Sequence, residues 1–160
     1  MLSVHSLQRQ SSRNDSCALS EASLAEHIVK AKQKIEAGDY AGAITNAYTL
    51  VEEFLKQTLR KTGADFSASE GDIRKLYKLV AERLGLNPGG ETLETNLRPI
   101  LDGLQKLVAG LFEVANKADD RHARKYNPAR RHAQLAVNAA FSLCEFVLGS
   151  LEFSETKKRG

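Results

Sequence analysis

The sequence predicts an all-α protein, an antiparallel helical bundle of four main helices plus one shorter helix. Apolar residues recur at spacings of three and four in five separate segments, and no segment of useful length alternates as a strand would. Glycine, asparagine, aspartate and proline punctuate the intervals. With 160 residues, 42% of them hydrophobic and 27% charged, the chain is long enough to bury one real core. No run approaches the roughly 18 to 20 apolar residues of a membrane-spanning helix, and the first twenty residues lack the apolar centre of a secretory signal. The expectation is a soluble, cytoplasmic protein with no membrane partner.

Residues 1–20 contain Ser3, Ser6, Ser11, Ser12, Ser16 and Ser20 without periodicity. Ordering them would cost backbone entropy with little burial to offset it, so they read as a flexible N-terminal arm. The helical domain is expected over 21–153, followed by a basic C-terminal tail at 154–160. Ser23 and Glu26 have capping-box spacing, and Leu24, Ile28, Ala31 and Ile35 follow at helical intervals as far as Gly38. Asp39 can cap a second helix, lined by Ala43, Ile44, Ala47, Leu50, Val51, Phe54, Leu55 and Leu59 and closed at Gly63. The short link makes these two an antiparallel pair. A third, shorter helix carries Ile73, Leu76, Tyr77, Val80 and Leu84, and the turn chemistry of Gly85, Asn87, Pro88, Gly89 and Gly90 ends it.

The fourth helix shows a stripe of Leu97, Ile100, Leu101, Leu104, Leu107, Val108, Leu111, Val114 and Ala115, with Pro99 tolerated in its first turn. For the fifth, Asn127 is the expected cap and Pro128 the first residue, and Ala133, Ala136, Val137, Ala140, Cys144, Val147, Leu148 and Leu151 form the buried face. Its polar face holds Gln134, Asn138, Glu145 and Glu152.

Charge is concentrated between these last two helices. The whole chain carries +3, yet Lys117 to His132 alone carries +4. Lys117, Arg121, Arg124, Lys125, Arg130 and Arg131, with His122, Tyr126 and His132 among them, are the pattern of a phosphate-facing surface. The same residues also suit a solvated interhelical loop. A histidine titrating near neutrality can take the proton of a ribose 2′-hydroxyl while a neighbouring cation stabilises charge on the phosphate, and His122 beside Arg121 fits that chemistry without a metal. It fits a surface or helix-capping histidine equally. His132 falls on the inward side of the fifth helix, where it either pairs with His122 across the end of the bundle or stiffens the loop as a hydrogen-bonded residue.

Other chemistries lack their residues. Cys17 and Cys144 stand far apart with no C-x-x-C pair, which argues against a disulfide framework or a zinc site. Gly85, Gly89 and Gly90 follow a helix and match no phosphate-cradling motif, no G-x-S-x-G elbow exists, and His27 has no second ligand set. No cofactor and no metal are expected. Asn46, Glu52 and Asn138 read as ordinary polar flanks of apolar stripes.

Two blocks suggest a family. IEAGDYAGAITNAYTLVEEFL at 35–55 contains G-D-Y-x-x-A-I-x-N-A, and LFEVANKADDRHARKYNPARRHAQLAVNAAFSLCEFVLGSL at 111–151 contains H-A-x-L-A-V-N-A-A. In that order they resemble the C-terminal domain of abortive-infection proteins, within the HEPN superfamily. The resemblance implies a HEPN-like helical bundle, frequent homodimers, a role in phage defence and, in many members, a metal-independent endoribonuclease. Its signature is an arginine, a polar residue and a histidine. Here His122 matches the histidine and Asn116 the polar residue, but Ala115 occupies the arginine slot, so the phosphate would fall to Arg121, Arg124 or Lys117. The catalytic candidates are therefore His122, Asn116 and Arg121. The nucleic-acid-binding candidates are Lys117, Arg124, Lys125, Tyr126, Arg130, Arg131 and His132, with RNA as partner and a second copy of the chain as the expected oligomer. Three functions compete: a ribonuclease with a degenerate motif, an RNA-contacting surface without catalysis, and an inactive helical module for dimerisation or protein interaction.

Overall fold

The computed structural model describes residues 20–86, 97–119 and 127–160, and within these the chain forms five α-helices and no strand. Residues 1–19 of the expected N-terminal arm and the turn residues Asn87, Pro88, Gly89 and Gly90 lie outside the described residues.

Helix α1 spans Glu21–Glu36. Its cap is Ser20, whose hydroxyl accepts from the Ser23 amide at 3.1 Å. This corrects the expected start at Ser23. The Ser20 oxygen already satisfies an amide of the first turn, which places Ser23 inside the helix. Gly38 ends α1 at φ +78°, a left-handed conformation that suits a residue without Cβ, and the Asp39 amide turns back to the Lys34 carbonyl. Asp39 then caps α2, Tyr40–Lys61, by accepting from the Gly42 amide at 2.9 Å. One short turn thus closes one helix and opens the next.

Helix α3 spans Ile73–Leu84, capped by Asp72 and closed by Gly85 at φ +69°. Arg74 fastens it in two ways: its guanidinium bonds to Asp72 at 2.8 Å and lies 3.7 Å over the ring of Phe112 on the fourth helix. That hydrogen bond from Arg74 holds the Asp72 carboxyl below its ordinary pKa. Helix α4 spans Arg98–Asp119, with Pro99 in the first turn as expected.

Helix α5 spans Arg130–Arg159 and begins later than the sequence suggests. Asn127 and the buried Pro128 precede the helix, and Ala129, the residue before its first turn, is extended at ψ 165°. Residues 154–159 continue the helix, so the basic C-terminal segment is its last turns.

Helix α2 packs against all four others, and α5 lies along α1 and α2. Ile44, Val51, Leu55 and Leu59 of α2 are buried together with Ala133, Ala140, Leu143 and Val147 of α5. Each large apolar side chain removed from water in this way contributes about 1.5–3 kcal/mol. By length and composition α5 could cross a membrane, but nearly half of its apolar window is buried, as befits the core helix of a bundle. The α4 stripe divides. Leu101, Val108, Leu111 and Ala115 face the core, whereas Leu97 and Ile100 are exposed among residues predicted to share that face.

Candidate nucleic-acid interface

The end of α4 and the start of α5 bracket residues 120–126, and the described cations of the basic segment sit on those two helix ends. Asn116 and Lys117 are exposed on the last turns of α4. They follow Ala115, which turns inward and is only 8% exposed. The position matching the arginine is therefore a small core-facing residue one step behind the exposed pair.

Across the gap, Arg130 and Arg131 open α5 and differ in availability. Arg130 is bound by the Glu36 carboxylate, a hydrogen-bonded ion pair that raises the guanidinium pKa and ties the start of α5 to the end of α1. Arg131 is exposed and forms no ion pair among the described residues; neither does Lys117. Of the three described cations at this end, these two are the ones not held in an ion pair.

His132 is half-buried and its Nδ1 accepts from the Ala129 amide at 3.1 Å. That bond satisfies one of the orphan amides at a helix N-terminus and ties His132 to the entry of α5; the other expected role, a pair with His122, falls on a residue outside the described ones. On the other side of the ring, the Arg131 Nε lies 3.4 Å from Nε2.

Of the predicted site residues, the structure brings Asn116, Lys117, Arg130, Arg131 and His132 to this end of the α4–α5 pair. His122, Arg121, Arg124, Lys125 and Tyr126 lie outside the described residues.

An apolar groove of about 430 Å³ leads away from His132 between the two helices. Leu107, Gly110 and Val114 form the α4 wall, and Leu135 and Ala139 the α5 wall. Leu135 is 71% exposed, unusual for a leucine bordering a groove of this kind. Nothing in the core periodicity marks this surface, but one signal was present: Leu135 lies off the stripe formed by Ala133, Ala136, Val137 and Ala140.

Comparison with known families matches residues 22–151 to Abi_C, a HEPN-like domain. Neither curated proteins nor solved structures give a match. The matched range holds both sequence blocks, the Ala115–Lys117 helix end and the whole groove.

Proposed function

The chain belongs to the Abi_C family of abortive-infection HEPN-like domains, and from that premise we propose that it contacts RNA through the basic end of the α4–α5 pair. The observation that carries this reading is the placement of Lys117 and Arg131, exposed and without ion-pair partners among the described residues, on the two helix ends that flank a segment containing Arg121, Arg124 and Lys125. Cations held on helix ends are positioned for phosphates without spending the conformational entropy of a free tail.

Catalysis is the finer question, and the burial of Ala115 bears on it. The arginine slot supplies no charge. Losing such a group typically lowers a rate by about two to three orders of magnitude. Lysine at 117 offers a point charge in place of a bidentate fork. The reading favoured here is RNA contact without efficient cleavage. Mixed cellular RNA incubated with the parent protein in chelator should run on a gel like RNA incubated with His122→Ala. Cleavage by the parent alone would overturn this reading and make the protein a metal-independent endoribonuclease in which another cation replaces the arginine.

The apolar groove supports pairing with a second copy, since Leu135 and the α4 wall leave apolar surface that water covers poorly. Placing a charge there should separate the copies without touching the core. Leu135→Asp is expected to elute as a monomer at micromolar concentration where the parent elutes as a dimer, with unchanged helicity. A monomeric parent would contradict the pairing and leave the groove to a different protein.

A further inference from the structure

Helix α5 carries a second stripe, set apart from the one that enters the core. Leu135, Ala139, Ser142, Phe146, Gly149 and Phe153 recur at spacings of four and three, so they share one side of the helix. Its three large apolar members, Leu135, Phe146 and Phe153, are all left exposed. Between them stand small residues, and space is open around Gly149, where an added Cβ would meet nothing within 4 Å.

The stripe has a knob near one end and a hollow near the other. Phe153 stands out at 72% exposed, while the groove walled by Leu107 and Val114 opens beside Leu135 and Ala139. About 27 Å of helix separates Phe153 from Leu135, so the ring does not reach the groove of its own copy. Leu135 and Phe153 lie equally far from the middle of the stripe, as do Ala139 and Gly149, and Ser142 and Phe146. A two-fold axis through that middle lays two α5 helices antiparallel. Each Phe153 then enters the other copy's groove, each Phe146 covers a serine, and Ala139 meets Gly149, where the backbones can approach closely. A parallel pair would set Phe153 against Phe153 and leave both grooves empty.

Charge adds a consequence. Lys157 and Lys158 follow Phe153 by one turn, exposed and in no ion pair among the described residues. Arg131 precedes Leu135 by one turn, so the antiparallel pair brings the lysines of one copy to the arginine of the other. Like charges so placed repel, and a polyanion laid between them replaces that repulsion with attraction. We infer that two copies pair antiparallel along this stripe, and that the partner's Lys157 and the partner's Lys158 complete the RNA surface begun by Lys117 and Arg131. The inference rests on the pairing and the RNA contact proposed above, and it adds the orientation of the pair and the second source of cations.

Disulfide trapping with oxidised glutathione reads the orientation without RNA. Cys17→Ser serves as the background, and Cys144 stays silent because it is buried and burial pushes its thiol pKa up. Ala139→Cys copies mixed with Gly149→Cys copies should give a covalent dimer containing one of each, while either variant alone gives little. Links of each variant with itself, or no link in the mixture, would overturn the arrangement. Fluorescence anisotropy with a labelled single-stranded RNA reads the shared surface. Lys157→Gln with Lys158→Gln should weaken binding by the paired protein about tenfold at low salt and leave binding by the Leu135→Asp variant unchanged. Equal losses in both, or none in either, would overturn the contribution of the second copy. A parent that binds no RNA would remove that contribution together with the basic-end reading, and the mixed disulfide would still decide the orientation.

Discussion

Replacing Glu52 with alanine is expected to destabilise the fold by about 3 kcal/mol, whereas Lys56→Met should leave stability unchanged or raise it. Lys56 is only 6% exposed, and its Nζ lies 2.6 Å from a Glu52 carboxylate oxygen one turn earlier on α2. Among the described residues that carboxylate is its one ion-pair partner. Removing the glutamate leaves a largely buried ammonium without its anion. Removing the lysine charge and keeping an unbranched chain of similar length avoids that cost, because Glu52 is partly exposed and can be solvated. In thermal denaturation the first variant should melt lower by roughly 6–12 °C for a domain of this size, while the second stays at or above the parent. Equal losses in both variants would show that the pair itself, and not the stranded charge, matters to α2.

Reversing the two available cations, as Lys117→Glu with Arg131→Glu, should weaken RNA binding by about a hundredfold at low salt. The loss comes from two phosphate contacts and the repulsion that replaces them. Both side chains are exposed and form no ion pair among the described residues, so the core does not depend on them. Lys78→Glu on α3 alters the net charge equally per substitution but on a different helix, and it should leave binding nearly unchanged. If Lys78→Glu weakened binding as much per charge as the reversal at the helix ends, attraction would be a property of the whole surface.

Much of this molecule can be read from its residues because helical periodicity, glycine and side-chain caps are local signals. Asp39, Gly63, Gly85 and the buried faces of α2 and α3 act as their chemistry dictates. The starts of α1 and α5 were placed wrongly for a shared reason. Several residues in a row could cap each helix, and the choice of Ser20 over Ser23, or of Ala129 with His132 over Asn127, depends on where the chain enters the bundle. The α4 stripe misled differently. An apolar residue that faces the core and one left exposed obey the same spacing, so Ile100 reads like Leu101 until the packing separates them. At the basic end, charge and the family resemblance point to Lys117, Arg131 and Ala115 from sequence alone. They could not show that Arg130 is held by Glu36, since that contact joins residues far apart in the chain. Glu52, read as a plain polar flank, holds the ammonium of the buried Lys56.

The central claim is that the basic end of the α4–α5 pair contacts RNA phosphates. Fluorescence anisotropy with a labelled single-stranded RNA, repeated across a range of salt concentrations, tests it most directly. The account predicts saturable binding that weakens steeply and linearly on logarithmic axes as salt rises, and a slope that flattens by about two when Lys117 and Arg131 are reversed. Absence of binding at low salt, or binding indifferent to salt and to both reversals, would contradict it.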